Sequence, residues 1–323
     1  MTRYLLADIG GTHTRVAIAE PGGPPRATVR YRNRELSSPA EALRRQRDAH
    51  DDGCAWVAAA AVAGPVTDGR VRLTNLGWEL SAQELAREAG VAWAEVINDY
   101  QALARALPVL EREQCTHLGG EVPLPGAALA VLGPGTGLGV SGLVPAATGW
   151  GVVAGEGGHV TLAPADDGEA ALLATLRQEL GHVSAEAVLS GAGLARLHRL
   201  LHGLERSPES VTEALAAGEP QAARTMDQFL ALLGNVAGNL ALTLGARGGV
   251  YLAGGILPRL EPARLLASPL RERFLAKGRF RGYLEPIPLA RIDDPERATL
   301  LGLRAWLDGL RGGAGSGAGE HCA

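Results

Sequence analysis

One plan occurs twice in this sequence and constrains what the chain can fold into: an apolar strand, a glycine turn and a second apolar strand. Residues 4–7 are an apolar run, Gly10 and Gly11 break it, and residues 14–19 alternate, which predicts a hairpin at the start of the chain. After a Pro/Gly-rich segment at 119–126 the plan returns, with strands predicted at 127–132 and 140–144 around a glycine-dense turn at 133–139. Each half therefore opens with a hairpin, and 323 residues are enough for two domains and a sizeable core.

The rest of the chain alternates strands with helices. Strands are expected at 56–62 and at 249–253, the latter closed by Gly254 and Gly255; over 91–107 a short strand feeds a helix that begins near Asn98. Helical spacing covers 167–180, ended by Gly181, and shorter helices are expected at 185–189 and 193–201. Residues 221–244 are apolar nearly all round, the pattern of a buried core helix. The alternation predicts mixed or mainly parallel sheets covered by helices in each half, an α/β protein. Residues 312–319 are rich in Gly, Ser and Ala and read as the start of a flexible tail over 312–323.

Composition excludes several functions. The single lysine, Lys277, follows no glycine-rich loop, so a Walker A site is ruled out, because its lysine must reach the β- and γ-phosphates. If nucleotide phosphates are handled, backbone N–H groups, a metal ion and arginines must supply the positive field. Cys54, Cys115 and Cys322 are too scattered for a disulfide framework or a paired zinc motif. A net charge of −4 with no basic run argues against nucleic acid as a partner. No apolar run is long enough to span a membrane, and the start of the chain lacks a signal-peptide pattern, so the expected location is cytoplasmic.

Four constellations carry possible chemistry. The first, Asp8-Ile9-Gly10-Gly11-Thr12-His13-Thr14-Arg15, ends the first strand; its glycines let backbone N–H groups approach an anion, Thr12 offers a hydroxyl, and Asp8 suits Mg²⁺ directly or through water. A plain diglycine hairpin turn explains that segment equally well when it is taken alone. The second, Gly133-Pro134-Gly135-Thr136-Gly137-Leu138-Gly139, repeats it; the spacing does not fit a dinucleotide fingerprint and leads into a strand. Glycines packed this closely weaken a strand unless the backbone or a close ligand requires them. The third is the Gly254-Gly255 joint, by itself an ordinary strand-to-loop connection. The fourth is polar: Asn98-Asp99 after a strand, with Asp99 placed to accept a hydroxyl proton or simply to cap a helix, and Gly155-Glu156-Gly157-Gly158-His159. Glu156 and His159 have metal-pair spacing, but the diglycine between them argues against a helix, and polyol hydrogen bonding is the better use. Glu186 reads as a routine surface residue on propensity alone.

Together the blocks LADIGGTHTR, GPV, LTNLGW, INDYQALA, GPGTGLGV, GEGGHV, GHVSAEAVLSG and GGVYLAGGI resemble the bacterial glucokinase family, within the hexokinase, actin and heat-shock-ATPase superfamily. The resemblance runs from Asp8 to about residue 310. It implies two ribonuclease-H-like (actin-like ATPase) domains flanking a central cleft: a small domain, 1–109 plus 298–311, and a large one, 110–297. It implies that Ala7, Asp8, Ile9, Gly10, Gly11, Thr12, Gly133, Gly135, Thr136 and Gly137 cradle ATP phosphates, with Gly254 and Gly255 near the adenosine. It implies Asp99 as base on the 6-hydroxyl of D-glucose, with Asn98, Glu156, His159 and Glu186 on the other hydroxyls. Asn75, with Thr74 and Trp78, would lie on a loop closing over the sugar. ATP with Mg²⁺ at Asp8 would be the donor, and a homodimer is compatible with the sequence. His13 stands where the family usually has Asn, and Pro134 where a small residue is commoner. The family's relatives with a cysteine-rich zinc motif are not matched there, so no structural metal is expected.

Two rival readings remain at this point. One is a kinase for another hexose or an N-acyl amino sugar. The other is a sugar-responsive regulator of the same fold, disfavoured because the first phosphate strand begins by Arg3 and leaves no room before it for a DNA-binding helix pair.

Overall fold

Strands and helices alternate along the first unit, which the C-terminal helix completes. The computed structural model describes residues 2–67, 69–73 and 76–314. Strands β1 (Thr2–Ile9), β2 (His13–Ala19) and β3 (Arg26–Arg32) lead to helix α1 (Pro39–Ala49) and β4 (Ala55–Val62). A short hairpin, β5 (Arg70–Leu73) and β6 (Trp78–Ser81), precedes α2 (Ala82–Ala89), β7 (Ala94–Asn98) and α3 (Asp99–Ala106), and a C-terminal helix, Pro295–Ala314, completes the unit. The sheet order is β3-β2-β1-β4-β7, with β1–β2 and β2–β3 antiparallel and β1–β4 and β4–β7 parallel.

The pleat sorts this sheet into two cores. Leu5, Ala7 and Ile9 of β1, with Val16, Ile18, Ala58, Ala60 and Val62, face Leu43 of α1 and Leu85 of α2. Tyr4 and Leu6, with Ala17, Ala59, Ala61 and Ile97, face Ala102 of α3 and Leu300, Leu303 and Leu307 of the C-terminal helix. Because β4 is covered on both faces it reads as an unbroken apolar run, AWVAAAAV, as parallel strands under helices do. The C-terminal helix starts at Pro295, three residues before the 298 at which the resemblance resumes the small domain; proline suits a first helical turn because it has no N–H to leave unpaired. It runs on to Ala314; the remainder of the expected tail, 315–323, lies outside the described residues.

The second unit comprises residues 111–145 and 153–293, the first 1–110, 146–152 and 294–323. Its strands are β8 (Cys115–Gly119), β9 (Leu129–Pro134), β10 (Leu138–Pro145) and the end of β11 (Trp150–Ala154), from residue 153 on. Helices α4 (Asp167–Leu180), α5 (Gly191–His202), α6 (Pro208–Ala216) and α7 (Pro220–Leu244) follow. Then come β12 (Gly249–Leu252), α8 (Pro262–Leu266), α9 (Leu270–Leu275), α10 (Arg281–Leu284) and β13 (Leu289–Ile292). The sheet order, β11-β10-β9-β12-β13-β8, contains the plan of the first sheet: an antiparallel hairpin, then two parallel neighbours. The duplication read from the glycine hairpins is thus a duplication of topology.

Helix α7 forms the spine of the second core, burying Met226, Phe229, Leu230, Leu232 and Leu233 against α5, α9 and the sheet. One expected helix does not form. Residues 185–189 make turns, because Ala185 N donates to Val160 O at 2.9 Å, Glu186 N to Gly158 O at 2.8 Å, and the Ser184 hydroxyl accepts from Ala187 N at 3.1 Å. Those partners take up the leading N–H groups, and the only i to i−4 bond within the segment is Leu189 N to Ala185 O at 2.8 Å, so the helix that Ala and Leu content alone would favour does not propagate.

Candidate active site

In the first unit, register fixes the edge on which function can be built. Ile9 pairs with Val62, and Val62 with Asn98, so the parallel strands β1, β4 and β7 end at one level. The carboxyl edge of such a sheet is where α/β proteins place ligands. Asp8 falls on the α3 side of β1, with Tyr4 and Leu6, and lies opposite Arg15, whose Nη1 donates to Asp8 Oδ2 at 3.0 Å. The other arm of Arg15 pairs with Glu296 of the C-terminal helix.

Asn98 holds an extended conformation and caps α3: its Oδ1 accepts from Tyr100 N at 2.9 Å and its Nδ2 donates to Gly64 O at 3.1 Å. The cap is therefore Asn98, and the alternative reading of Asp99 as the cap is corrected. Asp99 is the first helical residue, half-buried, with Oδ1 accepting from Tyr100 N at 3.0 Å. Burial, and next the nearby Asp8, push its carboxyl up to about 7. Asp8 is raised to about 6 by burial; Arg15 opposes the shift and Glu296 adds to it. A carboxyl poised near neutrality at a strand mouth is what a general base needs.

The first glycine turn is closed by Gly10 N donating to His13 O at 3.0 Å. A residue the sequence reading passed over braces it. Buried Asn33, just after β3, donates Nδ2 to Gly10 O at 2.8 Å, accepts from Thr14 Oγ1 at 2.8 Å, and sends its own N–H to Thr12 O at 2.9 Å. Gly11 and Thr12 are left exposed, and a Cβ at Gly11 would meet nothing within 4 Å. Ala7 and Ile9 are fully buried, so their side chains pack the core and only their main chain is available to a ligand.

In the second unit the glycine turn is stitched to its neighbours. Gly135 N donates to Gly137 O and Gly191 N to Gly135 O, both at 2.8 Å, and Ile256 N reaches Pro134 O at 3.3 Å. Gly254 has φ +86°, and a Cβ there would sit 2.3 Å from Pro134 O, so conformation and close approach both require glycine. A Cβ on Gly135 would come to 3.8 Å from Gly255 N, so the two glycine segments that the sequence left separate are neighbours. Thr136 and Gly255 are exposed.

Glu186 is more than a surface residue. Its Oε2 accepts from Leu138 N at 2.8 Å, directly beside the turn, and Oε1 lies 4.0 Å from His159 Nε2. Gly157–His159 is one 3-10 turn, the short helix that the diglycine permits, and Glu156 precedes it, exposed, with its carbonyl accepting from His159 N at 3.0 Å. Glu186, His159 and the glycine turn are thus assembled together in this unit. Thr74 and Asn75 lie outside the described residues; Trp78 opens β6, half-buried. Among the described residues no helix is long and apolar enough to cross a membrane.

The family model for glucokinase matches residues 5–310. A glucokinase of Paramagnetospirillum magneticum is 44% identical over 300 residues, covering 90% of this chain and 93% of the relative. The solved structure of a glucokinase from an Antarctic psychrotroph superposes with a TM-score of 0.84 at 34% identity, covering 94% of this chain and 98% of that one. A Streptomyces griseus ROK-family glucokinase, solved with glucose and AMPPNP, shares the fold with a TM-score of 0.64 at 19% identity over 94% and 98% of the two chains.

Proposed function

The chain belongs to the glucokinase family and is an ATP-dependent kinase that phosphorylates glucose; we propose that Asp99 is its base, acting on the sugar 6-hydroxyl. In this reading Asp99 accepts the hydroxyl proton as O6 forms its bond to the γ-phosphorus and the bond from that phosphorus to the bridging oxygen of ATP breaks. The observation that carries the assignment is the Asp99 carboxyl, poised at about 7 on the edge where β1, β4 and β7 end. In the first unit Asn98 is proposed for sugar hydroxyls; in the second the same role is proposed for Glu156, His159 and Glu186.

The phosphates are held by main-chain N–H groups of the two glycine turns: Ala7 to Thr12 in the first unit; Gly133, Gly135, Thr136 and Gly137 in the second. Gly254 and Gly255 take the adenosine. The residues present fit Mg²⁺ carried by the nucleotide: Asp8 and Asp99 are hard oxygen donors close enough for Asp8 to push Asp99 up, a repulsion that a cation relieves. Bound there, the ion would neutralise phosphate charge. Asp8 would hold it, while Arg15 and Glu296 orient Asp8. ATP and glucose as substrates favour a cytoplasmic location.

The test is an initial-rate measurement with ATP and a panel of hexoses, including mannose, fructose and N-acetylglucosamine, in wild type and Asp99→Asn. Glucose should show the highest kcat/KM, and the substitution should remove transfer. A higher kcat/KM for another sugar would move the assignment to that hexose.

A further inference from the structure

We propose that the first unit carries a phosphoryl-dianion subsite formed by Arg32 and Arg34 in the cavity beside the Gly10-Gly11 turn. The cavity, about 390 Å³, is lined by Gly11, Thr12, His13, Arg32, Asn33, Arg34 and Leu76. That volume falls within the roughly 300–1,000 Å³ of small-molecule sites. Part of its wall, Gly11 and Thr12, belongs to the turn that the kinase reading assigns to phosphate, and the proposal rests on that reading only for this point.

Three observations place positive charge there. His13 pairs with Arg32, and Arg15 with Arg30, across β2 and β3, so cross-strand neighbours put these four side chains on one face. Arg30 Nη2 lies 3.2 Å from His13 Nδ1. The imidazole is held below its ordinary range by burial and next by Arg30, Arg15 and Arg32, while Glu296 opposes them, so the guanidiniums outweigh the carboxylate around it. In a chain of net charge −4, that field is local.

The cations are available. Arg32 and Arg34 are exposed; among the described residues Arg32 has no carboxylate within 4.0 Å, and Arg34 has only Glu35, at 4.0 Å. Guanidinium forks match phosphoryl oxygens geometrically, and Arg binds phosphate through paired donors where Lys acts as a point charge. The only lysine, Lys277, is committed in the second unit to Asn235. Arginine is therefore the permanent side-chain cation that this unit can offer an anion. The ligand class is a phosphoryl dianion, either the terminal phosphoryl of the nucleotide or free inorganic phosphate.

The test is calorimetric titration of the full chain, without sugar, with inorganic phosphate at low ionic strength. Wild type is compared with Arg32→Ala, Arg34→Ala, the double variant, and Arg26→Ala as a control on the same strand, where Arg26 pairs with Glu20. Each guanidinium should contribute about tenfold or less in affinity, and the double variant should lose phosphate binding by at least about tenfold. Arg26→Ala should match wild type. AMPPNP and ADP titrations then identify the source. If the subsite holds the terminal phosphoryl, phosphate competes with AMPPNP, and the double variant weakens AMPPNP but not ADP. If it holds free phosphate, both ligands bind together and AMPPNP affinity is unchanged. Two results would overturn the proposal: equal phosphate affinity in wild type and double variant, including no binding in either, or an equal loss in Arg26→Ala. Because no sugar or turnover is involved, failure here leaves the kinase reading standing, and failure of glucose phosphorylation leaves this measurement interpretable.

Discussion

Asp8 and Arg15 face each other across the first hairpin, and Arg15 Nη1 donates to Asp8 Oδ2 at 3.0 Å. Such a partner normally draws a carboxyl below its ordinary range. Here burial wins, and Asp8 rises to about 6, partly because Glu296 claims the other arm of the same guanidinium. One cation shared by two carboxylates leaves Asp8 under-compensated, and Asp8 in turn raises Asp99. The hairpin register, the C-terminal helix and the start of α3 therefore act together on the protonation of the proposed base.

The pH profile should report that chain of influence. A base must be ionised to accept a proton, so kcat/KM for glucose should fall as pH drops below about 7, with an apparent midpoint that belongs to the Asp8 and Asp99 pair. Asp8→Asn removes the charge that raises Asp99 and should move the limb to lower pH, whatever it does to the maximal rate. Rate profiles over roughly pH 5 to 9 check this. A limb that stays in place would show that Asp8 does not govern the base.

The same shift has a stability consequence of definite sign. Asp99 is raised from 3.8 to about 7, so between those values the folded chain keeps a proton that the unfolded chain has lost. Its contribution is fully present below pH 3.8 and is lost as pH rises towards about 7. Asp99→Asn, which never ionises, should therefore raise Tm relative to wild type at about pH 8 and lose that advantage at about pH 4. Thermal melts of both proteins at the two pH values decide it; an equal Tm difference at both would contradict the burial argument.

The two glycine-turn roles should separate by substitution. Gly11→Ala meets open space at ordinary φ, so Tm should hold; KM for ATP should rise, since the added methyl would occupy the approach proposed for the phosphates. Asn33→Ala instead strips the partners from Gly10 O and from the Thr14 hydroxyl and should destabilise by about 1–3 kcal/mol. It should also weaken ATP, because the turn loses its brace. Denaturant unfolding together with ATP kinetics on both variants checks the contrast; a large stability loss in Gly11→Ala would show that the glycine serves packing.

Much of this was legible in the sequence wherever local chemistry and fold agree. Both glycine hairpins, the strand into α3 and the long helix α7 declare themselves by period and punctuation. Residues 185–189 misled because a helix-favouring composition is overridden by tertiary partners: Val160 O, Gly158 O and the Ser184 hydroxyl. Asn33 left no local signal, since its bonds reach back to Gly10 and Thr14, and only the β2–β3 register brings them together. Glu186 is the same case, its contact with Leu138 N spanning 48 positions. Arg15 stood in a quoted motif but acquired a role only when the hairpin placed it opposite Asp8.

The sharpest separation should come from Asp99 and Glu186. Asp99→Asn keeps shape and an acceptor but takes up no proton, so kcat should fall by roughly 10² to 10⁴ while glucose affinity stays near wild type. Glu186→Gln exchanges a charged acceptor for a neutral one; its carbonyl still accepts from Leu138 N, so the turn survives. The expected result is a KM for glucose raised by about tenfold, from a loss of about 1–2 kcal/mol, with kcat retained. Glu186→Ala goes further, because Leu138 N loses its partner beside the glycine turn proposed to hold phosphate; KM for ATP should then rise as well, which the glutamine variant should not show. Steady-state kinetics for both substrates, with glucose binding measured by calorimetry, resolve the three variants. If Asp99→Asn retains more than about a tenth of kcat, the proton goes elsewhere, and Asp99 only orients the sugar.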